Sequence, residues 1–232
     1  MSARGLFVAG TDTGVGKTRV TVGLLQALAS RGVAAAGMKP VAAGTDMAAS
    51  PPINEDVALI RAACGPRAGV ELAAADINPY CFEWPISAHL GARRAGVRIE
   101  PGVIAAAYAR LAGHVEVVVV EGTGGWLAPI GEHATMADIA EELALPVLLV
   151  VGLRLGCLNH TLLTVRAIAA SKLRLLGWVG SVIEPDMQAL GDNIATLEHA
   201  VPAPRLALLP FAPARAADAA QLAGAAAVAA AM

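Results

Sequence analysis

Residues 10–18 read GTDTGVGKT. They follow a short apolar segment at 6–9 and lead into a helix-like segment at 18–30. That strand–loop–helix setting is what a phosphate-binding loop of the G-x-x-x-x-G-K-[ST] kind requires. Glycines at 10, 14 and 16 let backbone N–H groups turn inward around phosphate oxygens, and the N-terminus of the next helix adds partial positive charge. Gly14, Val15 and Gly16 are expected to form the cradle, with Lys17 reaching the β- and γ-phosphates and the Thr18 hydroxyl ligating Mg²⁺. The chain has three lysines, Lys17, Lys39 and Lys172, so the one in this loop stands out from an arginine-rich background.

The rest of the chain alternates in a way that suits such a loop. Apolar, β-branched segments lie at 6–9, 33–39, 115–121, 147–151, 175–183 and 206–209. Helix-like stretches lie at 18–30, 56–64, 101–112, 135–143, 158–170 and 188–199, and Thr135 with Asp138 reads as a capped start. The expected architecture is α/β, a P-loop NTPase-like parallel sheet with helices on both faces, forming a single domain over residues 1–232. The stretch 44–54 reads as a mobile loop near the site, and the Ala-rich end at 212–232 as a closing helix.

Bulk properties exclude several classes. The chain is 56% hydrophobic with a net charge of −2, and no basic run points to nucleic acid or an anionic membrane. No apolar stretch is long enough to cross a bilayer, and the N-terminal residues do not read as a signal peptide, so a cytoplasmic location is expected. Cys64, Cys81 and Cys157 are widely spaced and read as reduced thiols rather than a disulfide framework or zinc site.

Further candidate groups sit at strand ends. Glu121 closes the apolar run 115–121 beside Gly122, Gly124 and Gly125, where a carboxylate at the carboxyl edge of a parallel sheet meets ligands. Next to a phosphate-binding loop it would hold Mg²⁺ or its waters. Lys39 follows the second apolar run and would enter the same crevice as a second cation, although position alone also fits a solvated lysine. Asp56 opens a helix, either as a charge favoured by the helix dipole or as a second magnesium-side carboxylate. Trp126 and Trp178 read as core or interface residues rather than base-stacking platforms, and Cys157 as packed. His160 suits packing at a helix start as well as chemistry.

The ordered blocks GTDTGVGKT at 10–18, KPV at 39–41, NED at 54–56, NPY at 78–80, VEGTGGW at 120–126, VGLRLGCLNH at 151–160 and LGWV at 176–179 make the chain resemble the dethiobiotin synthases over nearly its whole length. The resemblance implies a homodimeric carboligase that takes 7,8-diaminononanoate, CO₂ and ATP with Mg²⁺. One amine captures CO₂ as a carbamate, the carbamate attacks the γ-phosphate, and the second amine closes the ureido ring. It implies that Thr13, Lys17 and Lys39 position carbamate and phosphate, and that Thr18, Asp56 and Glu121 surround Mg²⁺. It further implies that the segment 156–160, with Gly156, Cys157 and Asn159, meets the substrate carboxylate across a dimer interface. Ala43 falls at a substrate-contacting position, and Ser181, with Leu209, Pro210 and Phe211, at the base.

Three residues depart from the family pattern. Gly14 stands where some members carry Glu, Ala43 where Ser is frequent, and Ser181 where Asn reads the adenine edge. The last opens the site to other nucleoside triphosphates. The alternative is a nucleotide-switch ATPase of the partitioning type, but Asp12 stands where those proteins carry a signature lysine.

Overall fold

The computed structural model describes residues 4–46, 53–66, 70–212 and 219–231. Its strands, in chain order, are β1 (Arg4–Gly10), β2 (Ala35–Met38), β3 (Val41–Ala43), β4 (Tyr80–Phe82), β5 (Val117–Glu121), β6 (Val147–Leu153), β7 (Leu175–Val182) and β8 (Arg205–Leu209). Every residue of β5 (VVVVE) and of β6 (VLLVVGL) is buried. Runs this apolar belong to strands covered on both faces, where β-branched side chains pack well.

Six strands form one sheet in the order β2-β5-β1-β6-β7-β8, and β3 pairs with β4 in a small second sheet. All pairings between these named strands are parallel. The helices are α1 (Lys17–Ala29), α2 (Glu55–Ala63), α3 (Ala74–Ile77), α4 (Ala88–Arg94), α5 (Pro101–Ala112), α6 (Met136–Glu142), α7 (Cys157–Ala170), α8 (Leu190–Ala200) and α9 (Ala223–Ala231). From β1 the chain crosses to β2 in one direction, and every later crossover in the main sheet runs the other way. Right-handed connections therefore place α1 on one face and α5 to α8 on the other. The packing agrees: α1 meets α2 and α9, α5 meets α6, and α7 meets α8. Where the winding reverses, a crevice opens beyond the carboxyl end of β1, and that is where such sheets bind ligands.

Register then places the chemistry. Val8 pairs with Glu121, so the carboxylate at the end of β5 lies beside the entry to the loop at 10–18. Ser181 pairs with both Gly152 and Leu209, on the other side of that loop. Beneath the crevice α1 buries Val20, Leu24, Leu25 and Leu28 completely. Each such burial is worth about 1.5–3 kcal/mol and anchors the loop to the core. At the start of α6, Asp138 Oδ2 accepts from both Thr135 N and Thr135 Oγ1 at 2.7 Å, as the sequence suggests.

Some elements differ from expectation. β3, β4, α3 and α4 are additional, and Ala43 at the end of β3 lines the crevice. Of the stretch read as a mobile loop, residues 47–52 lie outside the described residues. Its two ends are held, Gly44 N by Phe82 O and Asp46 N by Ile53 O, each at 3.0 Å. The closing helix is confined to α9 and a 3₁₀ turn at Ala219–Leu222, while 213–218 and 232 lie outside the described residues.

Candidate active site

A crevice of about 960 Å³ runs along the carboxyl ends of β2, β5, β1 and β7. At its centre is the loop between β1 and α1. Gly10 and Gly16 enclose five residues, one more than the four of G-x-x-x-x-G-K-[ST], so Thr11 rather than a glycine heads the eight-residue motif. Gly10 is the last residue of β1. The turn needs positive φ at Gly14 (75°) and Gly16 (94°), which side chains rarely tolerate. At Gly16 a Cβ would also come within 2.9 Å of Ser181 Oγ.

Lys17 folds back over this loop, its Nζ donating to Asp12 O at 2.8 Å. It is 7% exposed. Burial, only partly offset by the Glu121 carboxylate, pushes its pKa down to about 8. The Asp12 carboxylate holds the loop from outside: Oδ1 accepts from Thr13 N and Oδ2 from Arg154 Nη2, both at 2.7 Å.

Beside the loop lies a cluster of opposite charges. Thr18 Oγ1 donates to Glu121 Oε1 at 2.8 Å. Lys39 Nζ lies 2.5 Å from the same oxygen and 2.9 Å from Asp56 Oδ2. Burial alone would depress the Lys39 ammonium, but Glu121 and Asp56 outweigh it and hold its pKa above the ordinary lysine value. The strand-end lysine is therefore buried and paired rather than solvated. Glu121 is fully buried, and its Oε2 has no hydrogen-bond partner among the described residues. A buried carboxylate oxygen left over beside a threonine hydroxyl and a second carboxylate suits a hard, oxygen-seeking cation such as Mg²⁺.

Two asparagines aim this cluster, and sequence reasoning missed both roles. Asn54 caps α2, accepting from Asp56 N at 3.0 Å and Val57 N at 3.3 Å, while its Nδ2 donates to Ala43 O and Gly44 O. It thereby fixes the turn that carries Asp56. Asn78 Nδ2 donates to Lys39 O at 2.6 Å, and Lys39 N donates to Ile77 O, so the Lys39 backbone is held from both sides. An Asn directly before a helical run is a legible cap signal. Asn78 stands out only as the first residue of the NPY block at 78–80, which does not say what it bonds to. Thr123 Oγ1 donates to Val41 O and ties the loop after β5 to β3.

The crevice continues past the loop toward β7 and β8, where Ser181, Arg19 and the half-exposed Phe211 line it. Arg19 Nη1 donates to Pro210 O at 2.7 Å. Thr13, Ala43 and Gly124 also line the crevice.

Other expected residues lie elsewhere. The Val15 side chain is buried against the core, leaving its backbone to the cradle. Gly122 packs on Phe7, where a Cβ would be 2.9 Å from the ring, and Leu209 is fully buried in β8. Gly156, Cys157 and Asn159 begin α7 outside the crevice of their own chain: Cys157 is buried, while Gly156 and Asn159 are exposed. Trp126 packs edge-on against Phe7 and Trp178 is fully buried, in line with a core role for both.

Sheet order, loop and crevice together define a nucleotide-binding α/β protein of the P-loop class. A family model described as "AAA domain" matches residues 4–218. MinD from Pyrococcus horikoshii, complexed with Mg-ADP, superposes with a TM-score of 0.57 at 14% identity, covering 97% of this chain and 94% of that one. The MinC:MinD complex of Aquifex aeolicus gives 0.56 at 14% identity, covering 99% and 94%. Likeness at that identity speaks for the fold alone. Sequence relatives are far nearer. ATP-dependent dethiobiotin synthetase BioD of Aromatoleum aromaticum is 46% identical, covering 89% of this chain and 90% of that protein. The protein of the same name from Ralstonia nicotianae is 49% identical, covering 89% of each. The chain belongs to the ATP-dependent dethiobiotin synthetase family.

Proposed function

We propose that the chain is an ATP-dependent carboligase that closes the ureido ring of dethiobiotin from 7,8-diaminononanoate and CO₂, acting as one unit. The observation that carries this reading is the convergence of Lys17, Lys39, Thr18 and Glu121 in one buried crevice beside the phosphate cradle. Carbamate formation, phosphoryl transfer and ring closure each develop negative charge on oxygen, and preorganised cations stabilise such charge best where water is excluded.

In this reading the loop backbone from Gly14 to Thr18 holds the triphosphate and Lys17 leaves Asp12 O to meet the γ-phosphate. Thr18, Asp56 and Glu121 would hold Mg²⁺, which when bound would neutralise phosphate charge. Lys39 neutralises the carbamate oxygens as one of them forms a bond to the γ-phosphorus and ADP departs. Thr13, at the open rim, orients the carbamate. The second amine then attacks the carbonyl carbon of the mixed anhydride, the C–O bond to phosphate breaks, and phosphate leaves as the C–N bond closes the ring.

The substrate site is proposed to be shared between two copies of the chain. Leu155 is 88% exposed at the head of α7, with Leu163 (57%) on α7 and Leu127 (59%) on the loop after β5. Leu127 and Leu163 line a hollow of about 260 Å³ floored by Trp126. Covering this face with a second copy would bring the start of α7, with Gly156 and Asn159, toward the partner's crevice and its substrate carboxylate. Three free cysteines and no described helix long and apolar enough to cross a membrane fit the proposed cytoplasmic setting.

The test is product analysis with diaminononanoate, ¹³C-bicarbonate, Mg²⁺ and ATP. Label in a cyclic urea, formed in step with ADP and phosphate, is expected. ATP hydrolysis indifferent to the diamine would overturn the reading and favour a switch ATPase.

A further inference from the structure

Arg19 is the third residue of a helix that buries nearly every side chain it has. Its two predecessors, Lys17 and Thr18, serve the phosphate end of the crevice. Arg19 turns the other way. It is 9% exposed, and its Nη1 reaches across to donate to Pro210 O at 2.7 Å. The ladder between β7 and β8 ends at the pair Ser181–Leu209, so Pro210 is the first residue beyond the sheet. Burying a guanidinium beside a carbonyl is expensive unless the bond made is a good one, and a charge-assisted bond to a carbonyl is among the stronger neutral–ionic contacts.

Arg19, Ser181 and Phe211 line the same end of the crevice, separated from the Lys39–Glu121 cluster by the loop. We propose that Arg19 is a positioning residue for the nucleobase: it pins the segment 210–212 to the first turn of α1, so that Phe211 faces a base whose phosphates the same turn already holds. One helical turn then sets both ends of the nucleotide, and the distance between them. This rests on the reading that a nucleoside triphosphate lies in the crevice with its base toward β7 and β8. The bond of Arg19 to Pro210 O directs its guanidinium toward the end of β8, on the opposite side of the loop from Lys39 and Glu121.

The experiment compares Kd for ATP with Kd for inorganic tripolyphosphate, both with Mg²⁺, in the native protein, Arg19→Ala and Arg19→Lys. Tripolyphosphate reports the cradle without the base. Arg19→Ala should weaken ATP binding by about tenfold, the scale of one charge-assisted hydrogen bond, and leave tripolyphosphate binding unaltered. In turnover it should raise KM for ATP more than it lowers kcat, and Arg19→Lys should recover part of the loss. Equal weakening of both ligands would overturn the proposal, since Arg19 would then act on phosphate charge or on the fold. So would a variant that keeps the native preference for ATP over tripolyphosphate. If the native protein itself shows no such preference, the placement of the base fails first and independently of Arg19. Should Arg19→Ala fail to fold, Arg19→Gln, which keeps a donor and a similar stem, carries the same comparison.

Discussion

Lys39 and Glu121 form a buried ion pair, Nζ to Oε1 at 2.5 Å, at the mouth of the phosphate cradle. The two residues lie 82 positions apart and meet because β2 and β5 are parallel neighbours with their carboxyl ends in step. A pair this deep is a weak source of net stability but a strong constraint, since removing one partner strands the other. It also leaves both charges poised for exchange. In the proposed mechanism Glu121 and Asp56 would exchange the ammonium for Mg²⁺ when it binds with nucleotide, and Lys39 would turn to the transferred phosphoryl group.

Lys39→Ala is therefore expected to do two separable things. Turnover should fall on the order of 10²–10³-fold, the scale for loss of one preorganised donor, while Kd for ATP changes little because the loop backbone is intact. Without nucleotide the variant should also lose about 3–5 kcal/mol of stability, as Glu121 stays buried without its cation. Mg²⁺ with ATP should restore much of that loss. Rapid-quench kinetics and thermal melts with and without ligand check both. Near-native turnover would remove Lys39 from the mechanism.

Glu121→Gln keeps the shape and discards the charge. Half-maximal turnover should then need about 10–100-fold more Mg²⁺, the usual cost of weakening a metal's support. Asp56→Asn should have the smaller effect, since the Asp56 side chain is partly open to solvent while that of Glu121 is fully buried. A Mg²⁺ titration of kcat at saturating ATP distinguishes them. An unaltered Mg²⁺ requirement in Glu121→Gln would rule out its place beside the metal.

If Lys17 meets phosphate as proposed, nucleotide binding should depend on pH. Its pKa is about 8 in the folded chain, against an ordinary 10.5, because burial disfavours the charged form. Below about 8 the ammonium is present and ready for phosphate. Above that value the free protein has lost the proton, and an arriving triphosphate must draw one in. Apparent ATP affinity should thus decline as pH rises through 8, by at most tenfold per unit, until the raised pKa of the complex is reached. On stability the sign is opposite. Between about 8 and 10.5 the unfolded chain holds more protons on this group than the folded one, so its contribution to stability rises with pH. Calorimetry in two buffers of different ionisation heat, about one unit above the folded pKa, should register proton uptake on ATP binding. No uptake there would refute the assignment.

The sheet is legible in the sequence because its strands are apolar on both faces and its helices are bounded by local chemistry. α5 runs from Pro101 to Ala112 as expected, since a proline opens it and Gly113 follows it. Lys39, Thr18 and Glu121 are legible as strand-end and loop residues whose partners can be guessed from a parallel sheet. β3 and β4 are not. Each has three residues, they pair across 39 positions, and three residues carry no periodicity. Asn78 and Arg19 escape for the same reason: each acts on a carbonyl brought near only by the finished fold.

Leu163→Glu tests the shared site. At 57% exposure the side chain is not part of the core, so a charge there should cost the folded monomer about 0.5 kcal/mol or less. At an apolar interface the same charge would be left unpaired. The variant should sediment as a monomer and lose turnover, with KM for the diamine rising more than KM for ATP. A fully active monomer would end the proposal that the partner supplies the start of α7.

Ser181 should loosen the choice of base. An Asn amide offers a donor and an acceptor together and can pair with the N6/N7 edge of adenine, whereas a Ser hydroxyl is shorter and makes one adaptable bond. Discrimination by hydrogen bonding works when the wrong ligand leaves a buried polar group unpaired. Ser181 Oγ is almost fully buried and sits over Gly16, where a Cβ would be 2.9 Å away, so it is tucked against the loop rather than extended toward a base edge. It therefore has little to lose when adenine is replaced. The contacts proposed for Gly14 to Thr18 with the triphosphate would be blind to the base and stay the same. The native protein should accept CTP and GTP with kcat/KM within about tenfold of ATP, a gap no larger than one modest hydrogen bond. Ser181→Asn should widen that gap in favour of ATP, provided the longer side chain turns away from Gly16, which has no room for it to turn inward. The measurement is kcat/KM for the three triphosphates at matched Mg²⁺ in both proteins. A strong native preference for ATP, unmoved by the substitution, would show that the base is read by other groups, with the Arg19-anchored segment at 210–212 the first place to look.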